Sequence, residues 1–225
     1  MKPIFKNPFC RLLTINDLSV TSLLSFSKDT KSYVKILIID DQSFEYLDEM
    51  RNAGYSIASI KDIEAIDMAS SYHIIITDVR GVGKALRYKY EGVGLTNALR
   101  QRFPHKEYGV YTGNNVDIEM TQLLTHVEII PKSLDKDSWD SLLDKLVKRV
   151  VDPKVIWEKM RQSMIEDNIP LLDILLLEHK YVFMLNNGQK DFSHFFDKTP
   201  NTITEDLKTI FLSITANAIT KFVGI

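Results

Sequence analysis

The chain has 225 residues, 44% of them hydrophobic, enough for one large domain or an ordinary domain with a smaller addition. Its formal charge of -2 divides into +3 over 1–33, -3 over 34–150 and -2 over 151–225, so no segment is a basic domain, which argues against nucleic-acid binding through phosphate contacts. The single cysteine, Cys10, excludes an internal disulfide framework, and the five histidines are too scattered for a zinc site.

Residues 1–33 contain Pro3, Asn7-Pro8 and a Ser/Thr cluster that break any long period. They are expected to form an arm packed on the main domain, with Leu18, Val20, Leu23, Leu24 and Phe26 in a short strand or helical turn. From Val34 the pattern becomes regular. Val34 to Ile39 is a short apolar run that reads as a buried strand. Ser43 is placed to cap a helix presenting Phe44, Leu47 and Met50, which Asn52-Ala53-Gly54 ends. Tyr55 to Ala58 reads as a weak second strand and Ile60 to Ser70 as a second helix. The third strand, from His73, ends at Asp78. Glycines at 81, 83, 92 and 94 follow, in a stretch carrying Lys84, Arg87 and Lys89. Leu95, Ala98, Leu99 and Phe103 then mark an amphipathic helix stopped by Pro104. Tyr108 to Tyr111 is a fourth strand, leading to Thr112-Gly113. A helix from Ile118 to His126 precedes a fifth strand, Val127 to Pro131, and Lys132. Ser138 is placed to cap a last helix whose Trp139, Leu142, Leu143, Leu146, Val147 and Val150 follow a 3.6 period. Five strands alternating with five helices over 34–150 predict an α/β fold, a doubly wound five-stranded parallel sheet.

Residues 151–225 predict a small all-α domain. Pro153 suits a first helical turn, and Ile156, Trp157, Met160 and Met164 line one face. Leu171 to Leu177 and Tyr181 to Leu185 are apolar almost all round, so that helix is expected to be buried on more than one side. Asp173, Glu178 and His179 read as exposed polar positions between core leucines. Thr202 with Glu205 forms a capping box before a helix with the stripe Leu207, Ile210, Phe211, Ile214, Ala218 and Phe222. No apolar run reaches the ~20 residues of a membrane-spanning helix. The amino terminus lacks the charged start and apolar core of a signal peptide. A soluble cytoplasmic protein is expected, with neither nucleic acid nor membrane as a partner.

The chemistry-bearing residues stand at strand ends: Asp40 and Asp41 after the first, Asp78 at the third, Thr112 at the fourth and Lys132 after the fifth. An open parallel sheet gathers ligands outside its carboxyl edge, so these groups should converge. Three carboxylates, a hydroxyl and an ammonium suit a divalent metal and a phosphorylatable aspartate. Each residue alone also has an ordinary explanation: Asp40, Asp41 and Thr112 as helix caps, Asp78 as a turn residue, Lys132 as a solvated cation.

Taken together, Ile39-Asp40-Asp41, Thr77-Asp78, Tyr111-Thr112-Gly113 and Pro131-Lys132-Ser133 resemble the receiver domain of two-component response regulators. The resemblance covers about half the chain, 34–150, and implies a flavodoxin-like receiver that accepts a phosphoryl group on Asp78. It further implies Mg²⁺ held by Asp41, Asp78 and the backbone carbonyl of Arg80, with Asp40 acting through a bound water. Lys132 and Thr112 would contact the phosphoryl oxygens. The implied donor is a histidine kinase or phosphotransfer protein. The helical domain would then act through a homodimer or an effector protein. The same pocket without phosphotransfer would make a receiver-like scaffold or regulatory subunit. A phosphohydrolase on a similar sheet would carry a second aspartate at position 80, which is Arg80. The chain departs from the family in two places. The Gly81 to Gly94 stretch is longer than usual, either a solvated loop or a basic flap over a phosphoryl group. Ile129 stands where the family tends to place an aromatic switch residue. Gly83-Lys84 is not a phosphate-binding P-loop, because position 78 is the aspartate itself and Ala85 replaces Ser/Thr.

Overall fold

Lys35–Ile39 (β1), Ser56–Ile60 (β2), Ile74–Asp78 (β3), Glu107–Thr112 (β4) and Glu128–Pro131 (β5) pair in parallel in the order β2-β1-β3-β4-β5 in a computed structural model of the chain. That order is consistent with a flavodoxin-like fold. The structure describes residues 11–18, 28–113, 117–125, 127–189, 191–197, 203–205, 208–209 and 211–212. The chain divides into two compact units, Phe26–Val151 and Met1–Ser25 with Asp152–Ile225.

In the first unit the strands are short apolar runs because the sheet is covered on both faces. Leu37, Ile39, Ile75 and Tyr108 pack with Leu95 and Leu99 of α3 (Glu91–Arg102). Ile36, Ile38, Ile74 and Ile76 alternate with them and are fully buried on the other side. The remaining helices of this unit are α1 (Lys28–Tyr33), α2 (Leu47–Asn52), α4 (Ile118–Leu123) and α5 (Lys136–Val151). Helix α5 buries Trp139, Leu143, Leu146 and Val147. Its start is capped by Asp135, whose Oδ1 accepts the Ser138 N–H at 2.9 Å, so the cap lies three residues before the expected Ser138. Helix α2 likewise starts at Leu47 rather than after Ser43, because Asp40 accepts the Gln42 N–H and turns the chain first.

The helix expected over 60–70 is reduced to one 3-10 turn, Ile66–Ala69. Ile60 belongs to β2, its carbonyl accepting the Asp40 N–H at 3.0 Å. Asp62 then spends its carboxylate on the N–H groups of Ile63, Gly83 and Ala85. The same bonds anchor the start of the glycine-bearing stretch, and α3 begins inside it, at Glu91. Gly92 is required there: a Cβ would collide with the backbone oxygen of Asp78.

In the second unit, α6 (Pro153–Glu166) begins with Pro153 in its first turn, as expected, and Asp152 caps it by accepting the Lys154 N–H at 2.8 Å. Its Trp157, Met160 and Met164 share a core with Ile174, Leu177, Tyr181 and Leu185 of α7 (Leu171–Asn186). Phe192, Phe195 and Phe211 pack around the Tyr181 ring at centroid distances of 5.9, 6.3 and 5.8 Å. Two expectations for α7 are corrected. Leu171, Leu172 and Phe183 are more than half exposed, so its apolar surface exceeds what the core covers. Glu178 is buried, not exposed, and its Oε1 accepts the Ile15 N–H at 2.7 Å. His179 Nδ1 accepts the Leu13 N–H at 2.9 Å, so both polar groups hold the described part of the amino-terminal arm. Val20, Leu23, Leu24, Phe26, His126, Thr202 and the stripe at Leu207, Ile210, Ile214, Ala218 and Phe222 lie outside the described residues. Among the described residues no helix is long and apolar enough to cross a membrane.

Candidate metal centre

The site follows from register and alternation. Ile39 of β1 pairs with Thr77 of β3, so Asp40, the next residue, lies level with Asp78. Asp78 in turn pairs with Tyr111 of β4. Because side chains alternate along each strand, Asp40 and Asp78 share the face of Ile38 and Ile76. Tyr111 lies on that face too, its ring edge-on to Trp139 of α5 at 5.9 Å. Asp41, one residue further, reaches the same rim. Oxygens from the carboxylates of Asp40, Asp41 and Asp78 all lie within 4.8 Å of one another. Asp40 and Asp78 are each only 4% exposed, whereas Asp41 is exposed.

Lys132 follows β5 and turns back over the cluster, with Nζ 2.5 Å from Asp78 Oδ2. Its backbone N–H donates to the Thr112 carbonyl at 2.9 Å, extending the β4–β5 ladder. Asp78 Oδ1 accepts the Arg80 N–H at 3.2 Å. Burial raises the Asp78 pKa above the ordinary carboxylate range. The Lys132 ammonium and the Arg80 N–H oppose that rise, and the Asp40 charge adds to it. The chain then bends at Gly81, φ +85°, where a Cβ would strike the Asp41 carboxylate. Glu91 Oε2 accepts the Gly81 N–H at 2.7 Å and fixes that bend.

Asp40, Asp41, Asp78 and Lys132 are therefore brought together, and Arg80 joins them through its N–H. Thr112 stands at the end of β4, paired with Pro131 and bonded through its carbonyl to Lys132. Lys84 and Arg87 are exposed, and Lys89 donates to the Tyr90 hydroxyl at 2.8 Å. Ile129 is 47% exposed on β5.

One site residue is absent from the sequence reading. The Tyr111 hydroxyl donates to Asp40 Oδ2. The Tyr108 to Tyr111 run reads as undifferentiated strand core, yet alternation separates Val110, packed with α3 and α4, from Tyr111 on the acidic face. That parity, combined with the pairing of the third and fourth strands, is the signal that could have found it. Burial, the bond to Asp40 and the three carboxylates all push the Tyr111 pKa far up, so its phenol stays protonated and donates.

The donor set fits a hard divalent cation. Every prospective side-chain ligand atom is a carboxylate oxygen, and three carboxylates against one ammonium leave an excess of negative charge. The exposed Asp41 leaves the rim open to the waters that Mg²⁺ retains. The chain matches no family model, no curated protein and no solved structure.

Proposed function

We propose that the sheet-bearing unit is the receiver of a phosphorelay, accepting a phosphoryl group on Asp78 with Mg²⁺ in place. The observation that carries this reading is the convergence of Asp40, Asp41 and Asp78, with Lys132 paired to Asp78, at the carboxyl edge of a parallel sheet. Asp41, Asp78 and the Arg80 backbone carbonyl would hold the ion, with Asp40 acting through a water. Bound Mg²⁺ supplies positive charge that offsets repulsion between the carboxylates and the phosphoryl oxygens.

Asp78 then acts as the nucleophile. One carboxylate oxygen bonds to phosphorus while the phosphorus–nitrogen bond of a phosphohistidine donor breaks, its electron pair returning to the imidazole. Lys132 moves its charge from Asp78 to the incoming oxygens, and the Thr112 hydroxyl donates to one of them. The chemistry asks for positioning and charge stabilisation more than for proton transfer. The donor is a histidine kinase or phosphotransfer protein, and the protein is not a turnover enzyme. The helical unit would signal through protein–protein contacts, with an effector or a second copy. The exposed Leu171, Leu172 and Phe183 of α7 support that role.

Incubation with acetyl phosphate and Mg²⁺ tests the reading. Covalent labelling that requires Mg²⁺ and is lost in Asp78→Asn is the expected result. Labelling that persists in Asp78→Asn rejects the nucleophile, and a wild-type protein that is never labelled favours the scaffold without phosphotransfer.

A further inference from the structure

The geometry points to Tyr111 as a positioning residue that holds Asp40 for cation binding and couples the acidic cluster to helix α5. The inference rests on the reading of that cluster as a Mg²⁺ site. Asp40 is 4% exposed, and a carboxylate so far removed from water needs donors. Oδ1 takes the Gln42 N–H at 3.0 Å and Oδ2 takes the Tyr111 hydroxyl. These two donors fix the carboxylate plane and leave its remaining lone pairs for a cation's water shell.

Tyr111 also touches the other half of the site. The Lys132 ammonium lies 5.0 Å from the centre of its ring, so one side chain contacts both Asp40 and the cation paired with Asp78. The ring meets Trp139 edge-on at 5.9 Å, and Trp139 meets Phe44 edge-on at 4.9 Å. A change in the charge around Asp40 thus reaches the first turn of α5 through the hydroxyl bond and one packed aromatic contact, and passes on through Trp139 to Phe44 before α2. With Ile129 on β5 in place of an aromatic residue, the route runs through β4 instead. Phosphate-oxygen contacts are not required for this coupling, because the hydroxyl bond is made to a metal-site acid.

The chain has two tryptophans, Trp139 and Trp157. The indole N–H of Trp157 makes no hydrogen bond among the described residues, so Trp157→Phe gives a background in which Trp139 alone fluoresces. In that background Mg²⁺ should change Trp139 emission saturably, with a midpoint equal to the Kd from calorimetry. Adding Tyr111→Phe should weaken Mg²⁺ binding about tenfold, as expected for losing one hydrogen bond to a buried charge, and abolish the emission change. A merely structural role would lower the melting temperature and leave the Kd of the folded protein unchanged. An unchanged Kd, or a Trp139 signal indifferent to bound Mg²⁺ in the Trp157→Phe protein, overturns the inference alone. Absence of any Mg²⁺ binding in the unsubstituted protein overturns the metal site and the inference with it.

Discussion

Lys132 Nζ lies 2.5 Å from Asp78 Oδ2, so the acid proposed to take phosphorus is ion-paired before any phosphoryl group arrives. The pair is unequal in exposure: the Asp78 side chain is 5% exposed and that of Lys132 35%. The lysine can therefore leave toward solvent-side oxygens while the aspartate stays where the sheet fixes it.

Replacing the lysine separates cation binding from phosphoryl transfer. In Lys132→Met the cluster loses its one ammonium, and a nearby divalent ion no longer meets like charge. Mg²⁺ should bind several-fold more tightly, roughly 3- to 10-fold, while labelling by acetyl phosphate slows by about 100-fold for want of charge on the transferring oxygens. Calorimetry and labelling rates on the same preparation check the opposite signs; a parallel fall in both would contradict them.

Gly81 combines a positive φ with contact against Asp41. Gly81→Ala should cost about 1–2 kcal/mol of folding stability from the backbone alone. It should also displace the Asp41 carboxylate and weaken Mg²⁺ binding. Urea unfolding and a Mg²⁺ titration are the measurements, and a protein with unchanged Mg²⁺ affinity would separate this turn from the site.

Behind the site, the Thr77 and Thr96 hydroxyls lie 2.5 Å apart in full burial, and Thr96 donates onward to the Gly92 carbonyl at 2.8 Å. Thr77 is therefore the donor between them. Thr96→Val leaves the Thr77 hydroxyl facing an apolar group and should cost about 2 kcal/mol, while Thr77→Val should cost about 1 kcal/mol. Chemical denaturation of both variants tests the order, and equal losses would refute this donor assignment.

His73 makes stability depend on pH. Its Nδ1 accepts the Lys35 N–H at 3.0 Å. Burial, with the charges of Lys106 and Lys35, lowers its pKa to about 4 from an ordinary 6.5. A histidine depressed in the folded state binds its proton preferentially when unfolded. Stability is thus complete above about pH 6.5 and falls as pH drops toward 4. The loss should be of order 2 kcal/mol after allowance for solvent screening. His73→Asn, which keeps an acceptor for Lys35, should flatten the melting temperature between those limits; an unaltered slope would assign it to other groups.

The sheet and most of its site are legible in the chain because burial on both faces keeps Ile36 to Ile39 and Ile74 to Ile76 wholly apolar. Asp40 and Asp78 stand out where those runs stop. Register and parity do not follow from composition, so Tyr111 hides beside Tyr108 and Val110, which serve the core. The loop after β2 hides for a different reason. Asp62 looks like any polar residue in a helix pattern until its carboxylate is seen binding Gly83 and Ala85, more than twenty positions away. Helix α7 misleads through excess: its leucines outnumber the core contacts available, and Leu171, Leu172 and Phe183 remain exposed.

The most direct test of the central claim is a crystal structure grown with Mg²⁺ and beryllofluoride. The expected result is a beryllofluoride adduct on Asp78, Mg²⁺ held by Asp41 and Asp78, and Lys132 turned from Asp78 to a fluorine. A structure in which Lys132 stays on Asp78, with no density beside the three carboxylates at saturating concentrations of both, would contradict it.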